Sequence, residues 1–94
     1  MPRLLRIAAP FHRQRQRLAS SGAEVARDVA SVISALTRDE LPGVLDVRAA
    51  LPPTRAAWVR RVRSRNLWVW FTFDEASVCI QTLTNLPPVP LDEA

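Results

Sequence analysis

Lysine and tyrosine are absent from this chain of 94 residues, cysteine and histidine occur once each, and glycine only twice. A single cysteine, Cys79, excludes an internal disulfide and reads as a small buried apolar residue within a strand. His12 stands alone, and no Asp, Glu or Cys cluster has ligand spacing, so no metal is expected and His12 reads as a helix-surface residue. With only Gly22 and Gly43 there is no Gly-rich phosphate loop. Nucleophile-elbow and triad signatures are also missing, and no cofactor is expected. No apolar run approaches the roughly 20 residues of a membrane span. The N-terminal MPRLLRIAAPFHRQRQRL is too interrupted for a signal-peptide core of about 7–15 residues. The expectation is a cytoplasmic protein with no membrane partner.

What the chain has instead is arginine, which supplies all thirteen basic residues and leaves a net charge of +4. The charge is segregated. Residues 1–23 carry five arginines and residues 48–73 carry six, both without an acid, whereas residues 24–47 and 74–94 are net acidic. Guanidinium forks gathered in this way suit a polyanion met through its phosphates. The length is that of one small domain, taken as residues 1–86 with a Pro-rich arm over 87–94.

The pattern reads as α+β. Arg3 to Ala9 is a short apolar strand ended by Pro10. Phe11 to Ala19 holds good helix formers, with Phe11 and Leu18 on one face and a stop at Ser20-Ser21-Gly22. From Ala23 to about Arg38, Val25, Val29, Val32, Ile33 and Leu36 recur at helical spacing behind a capping-box pair, Ser21 and Glu24. Residues 41–54 read as a Pro-containing connector. Three strands then follow, Ala57 to Arg63, Leu67 to Asp74 and Ser77 to Thr84, whose short links require an antiparallel meander. Pro87 bars any extension of the last strand.

The stretch VRRVRSRNLWVWFTFDE packs four arginines into residues 59–65 and follows them with the aromatic strand. A two-residue turn at Arg65-Asn66 sets Ser64 against Leu67, Arg63 against Trp68, Arg61 against Trp70 and Trp58 against Phe73. Directly opposed side chains share a face. One face then carries Trp58, Val62, Leu67, Val69, Phe71 and Phe73 as core, and the other carries Arg61, Arg63, Trp68, Trp70 and Thr72. Guanidinium beside indole makes a surface for phosphates and unstacked bases. The two tryptophans read equally well as residues packed under the C-terminal arm or against another chain. Arg60, on the apolar face, is expected to snorkel to water at a sheet edge.

The segments RLLRIAAPFHRQRQRL and LPPTRAAWVRRVRSRNLWVWFTFDEASVCIQTL resemble the opening and the central meander of the RelE/ParE superfamily, toxins of type II toxin–antitoxin systems. The likeness spans residues 3 to about 85. It implies a β-α-α-β-β-β fold with two N-terminal helices packed on a small antiparallel sheet. It also implies a cognate antitoxin as partner, and either RNA on the ribosome, with mRNA cleavage, or DNA gyrase as target. A non-toxic interaction module on the same fold is the third implied use. The family's basic second-strand positions match Arg61 and Arg63, which the resemblance makes candidate catalytic residues. Arg13, Arg17, Arg61, Arg63, Arg65, Trp68 and Trp70 are the candidate nucleic-acid contacts. Where such enzymes carry an arginine early in the third strand this chain has Trp68, and near the end of the last strand it has Asn85-Leu86-Pro87-Pro88. Arginine stabilises charge but, with a pKa above about 12, is a poor general base.

Overall fold

Pro10 does not end a strand; it lies in the first turn of a helix, where its fixed φ and missing N–H are tolerated. The computed structural model describes residues 2–51, 55–63 and 65–89. Along the chain come β1 (Leu4–Ile7), α1 (Ala9–Ser21), α2 (Ala23–Arg38), β2 (Val47–Leu51), β3 (Arg55–Arg61), β4 (Trp68–Phe73) and β5 (Ser77–Thr84). The α+β class holds, with two helices and a five-stranded sheet in the order β1-β5-β4-β3-β2.

Two expectations about the sheet are corrected. It is mixed rather than antiparallel, because β1 pairs with β5 in parallel, Leu4 beside Ser77 and Ile7 beside Ile80. Residues 41–54 are also more than a connector, since Val47–Leu51 pairs antiparallel with β3, Ala49 opposite Ala57. Pro52, Pro53 and Thr54 lie outside the described residues, as do residues 90–94 of the expected arm. β5 ends at Thr84, short of Pro87.

A single residue, Gly22, links α1 to α2 at φ 133°, a conformation that strains any L side chain. A Cβ there would meet nothing within 4 Å, so the demand comes from the backbone rather than from space. Ser21, expected to open a capping box with Glu24, is the last residue of α1, and Gly22 is the N-cap of α2. The expected apolar stripe of α2 does form, with Val29, Ile33 and Leu36 buried and Val32 packed beside them.

Both helices cover one face of the sheet, where Phe11, Val29, Ile33 and Leu36 meet Val62, Val69, Phe71, Val78 and Ile80. Burying each such side chain contributes about 1.5–3 kcal/mol. A smaller cluster of Ala49, Ala57, Val59 and Trp70 forms separately, with Trp68 against it. Gln81 interrupts the β4–β5 register, which runs Trp70 to Thr82 and then Phe71 to Ile80, and its amide donates to the Thr72 hydroxyl at 3.1 Å. Cys79 is half-buried rather than fully buried.

Asp74 fixes the β4–β5 turn by accepting the backbone N–H of Ala76 (2.8 Å) and of Ser77 (2.7 Å). The Ser77 and Ala76 amides hold its carboxyl below the ordinary carboxylate range. A depressed folded pKa stabilises above the unfolded value and loses that contribution as the pH falls through the folded value. The urea midpoint of Asp74→Asn should therefore lie below wild type at neutral pH and converge with it in acid. A gap that persists in acid would remove the carboxylate charge from the explanation.

Candidate nucleic-acid interface

β3 and β4 are joined by a hairpin in which the Val62 N–H donates to the Leu67 carbonyl at 2.8 Å, leaving 63–66 as the loop. The expected two-residue turn is thus replaced by a longer one, and Ser64 lies outside the described residues. Register moves by two: Arg61 opposes Trp68, Val59 opposes Trp70 and Trp58 opposes Phe71. Because strand side chains alternate with a period of two, a shift of two leaves every residue on its expected face. Arg61 and Trp68 become direct neighbours, while Arg63 falls beyond the end of β3.

Arg61 lies over Trp68, its guanidinium carbon 5.6 Å from the ring centroid. Its Nε–H donates to the Arg65 carbonyl (2.9 Å) and an Nη2–H to the Asn66 side-chain oxygen (3.3 Å). The hairpin loop therefore holds the guanidinium over an indole that remains partly exposed, which desolvates neither group fully and leaves donor edges for a phosphate. Arg63 is exposed, has no hydrogen bond or ion pair among the described residues, and lies with Asp28, Ser31 and Val32 of α2 beside a shallow hollow. Arg65 is drawn the other way, its Nε–H 2.7 Å from Asp28 of α2, so much of its charge is neutralised within the fold.

Trp70 corrects the expected tryptophan face. It is only 5% exposed, closed in by Ala49, Ala57 and Val59. Its indole N–H donates to the Thr84 hydroxyl at 2.9 Å, and that hydroxyl donates to the Leu86 carbonyl at 3.3 Å. Leu86, Pro87, Pro88 and Val89 run past it, leaving a cleft of about 490 Å³. Of the two tryptophans, then, the alternative of packing inward near the C-terminal arm describes Trp70, and Trp68 keeps an exposed edge.

Arg60 does not snorkel. Its guanidinium grips Asp46 with two hydrogen bonds, Nε to Oδ1 at 2.6 Å and Nη2 to Oδ2 at 2.9 Å, and reaches Asp39 through Nη1 at 2.9 Å. The Asp46 side chain is fully buried and that of Arg60 is 11% exposed. The hydrogen bonding to Asp46 dominates and raises the arginine pKa further, against the opposing effect of burial. Gly43 completes the arrangement: its N–H donates to Asp46 at 2.6 Å, and a Cβ in its place would lie 2.9 Å from Arg60 Nη2.

Gln14, which no sequence signal singles out, ties α1 to the end of β5. Its amide donates to the Leu83 carbonyl (2.8 Å), and its oxygen accepts from the Leu83 N–H (2.9 Å) and the Thr82 hydroxyl (3.1 Å). Leu83 and Thr84 pair with Val69 and Trp68. Arg13 and Arg17 are both exposed on the same helix as Gln14.

The arrangement can bind phosphate and stack an unpaired base. Neither Arg61 nor Arg63 touches an imidazole or a carboxylate among the described residues, and His12 is exposed on α1. Charge stabilisation is therefore on hand without a poised general base. Among the described residues no group of three or more His, Cys, Asp or Glu could hold a metal ion, and no helix is long and apolar enough to cross a membrane. No protein-family description, curated protein or solved structure matches the chain.

Proposed function

We propose that this chain is an RNA-binding growth inhibitor of the RelE/ParE toxin kind, which engages RNA on the ribosome through the end of its sheet and is held in check by a cognate antitoxin. The observation that carries this reading is the Arg61 guanidinium held over Trp68 by the hairpin loop, with Arg63 exposed in that loop and without a hydrogen bond or ion pair among the described residues. Unstacked bases need an aromatic or guanidinium plane and the backbone needs cations, and both stand within one hairpin.

The test is induced expression in a bacterial host with mapping of mRNA 5′ ends, wild type against Arg61→Ala/Arg63→Ala. Wild type should arrest growth and co-sediment with ribosomes, and the folded double variant should do neither. New codon-phased mRNA ends lost in the variant would add cleavage to binding: the 2′-hydroxyl attacks the adjacent phosphorus and loses its proton to water, the P–O5′ bond breaks with the 5′-oxygen leaving, and the arginines stabilise the charge that develops on the phosphate. Arrest with a DNA-damage response and no ribosome association would move the reading to gyrase. Equal toxicity of a folded double variant would end it.

A further inference from the structure

Both groups that accept hydrogen bonds from Arg61 belong to the hairpin loop: the Arg65 carbonyl and the Asn66 side-chain oxygen. The guanidinium stays over Trp68 only while that loop keeps its shape. Loops at the tip of a hairpin are among the more mobile parts of a fold, so what ties this one down matters. Within the hairpin the Arg65 N–H donates to the Val62 carbonyl at 3.1 Å. Beyond it, the Arg65 side chain reaches α2, where its Nε–H meets Asp28 Oδ2 at 2.7 Å. Asp28 stands on a firm base, because the next residue, Val29, is buried in the core together with Ile33 and Leu36 of the same helix. Arg65 therefore gives its N–H to the hairpin, its side chain to the helix and its carbonyl to Arg61.

We propose that Asp28 is a positioning residue for the Arg61–Trp68 surface: by holding Arg65 it fixes the loop carbonyl that keeps the Arg61 guanidinium over the indole. Its consequence for binding rests on the RNA reading, whereas its geometry does not. Arg65 is thereby reassigned from a phosphate contact to a residue that acts through Arg61. The two assignments predict opposite signs. Were Arg65 a contact and Asp28 a bystander, removing the carboxylate would free a cation and take an anion away from the polyanion, and binding would tighten. With Asp28 positioning the loop, its removal lets the Arg65 carbonyl move away from Arg61, and binding weakens even though the protein becomes more positive. The pair is partly exposed, Arg65 at 30% and Asp28 at 44%, so the weakening is modest, about two- to fivefold.

The test compares wild type, Asp28→Ala, Arg65→Asp and the exchanged pair Asp28→Arg/Arg65→Asp, which keeps the net charge and remakes the bridge in reverse. Two readouts are taken on the full chain. The first is the Arg61 Nε–H resonance in the free protein, assigned by its loss in Arg61→Lys; its heteronuclear NOE should be high in wild type, fall in both single variants and recover in the exchanged pair. The second is fluorescence anisotropy with labelled poly(U), where Asp28→Ala should bind about two- to fivefold more weakly than wild type and the exchanged pair should return close to it. A merely structural role for Asp28 would lower the melting temperature without a recovery specific to the exchange. The proposal falls if Asp28→Ala binds poly(U) as well as wild type or better, if its Arg61 Nε–H stays as ordered as in wild type, or if the exchanged pair does no better than Arg65→Asp alone. Should wild type bind no poly(U), the RNA reading fails, and the Nε–H result by itself decides whether Asp28 positions Arg61.

Discussion

Arg60→Ala should lower unfolding stability by about 3–5 kcal/mol, whereas Arg61→Ala, one residue along the same strand, should cost less than about 1 kcal/mol. The contrast follows from which face each occupies. Removing Arg60 leaves Asp46 fully buried with only the Gly43 N–H to answer its charge, and a buried carboxylate without its cation is costly. Arg61 gives up only an exposed stack and two hydrogen bonds at the surface. Against a total stability of about 5–15 kcal/mol, the first loss is a large fraction and the second is small. Urea unfolding of both variants decides it. Arg60→Leu/Asp46→Leu should recover part of the loss, because removing both partners removes the unpaired charge. A single variant near wild type, or a double variant worse than the single, would mean that the pair is not what anchors residues 39–46 to β3.

Trp68→Ala and Trp70→Ala should separate binding from stability. Trp68 is the partly exposed ring under Arg61, and its loss should weaken single-stranded RNA binding by about 1–3 kcal/mol per stacked base while leaving the melting temperature close to wild type. Trp70 is enclosed and hydrogen-bonded to Thr84; its loss should cost about 3–5 kcal/mol of stability, with the affinity of the remaining folded protein little changed. Fluorescence anisotropy with labelled poly(U) and thermal melts of both variants give the four values. If Trp70→Ala abolished RNA binding without lowering the melting temperature, the assignment of the two rings would be reversed.

The sequence leaves Trp70 open between ligand contact and inward packing for a definite reason. Its enclosure depends on Ala49, which belongs to β2, and β2 is the strand that the sequence conceals. VRAAL offers two alanines, poor strand formers, and an arginine, and two prolines follow it. What makes it a strand is antiparallel pairing with β3, which begins only four residues after it ends, alanine against alanine, a fit that its own composition does not announce. Without β2 the far side of β4 reads as bare. The helices and the core face were legible because they rest on periodicity, which survives small errors: Val29, Ile33 and Leu36 lie three and four apart, and a two-residue error in the hairpin register exchanges partners but not faces. Arg60 was legible as a misfit, but its partners Asp39 and Asp46 lie in a loop whose path nothing local dictates.

β1 pairs with β5, so the earliest strand finds its place only beside the last. Arg3 adds to this closure: its N–H donates to the Thr37 carbonyl, its guanidinium to the carbonyls of Asp74 and Asp39, and it lies 5.5 Å over the Phe73 ring. The Gln14 clamp on Leu83 is another joint between early and late residues. Contacts of such long sequence separation form slowly, since the loop they close must be ordered first. During translation, therefore, β1 and α1 wait without their partners until β5 has left the exit tunnel.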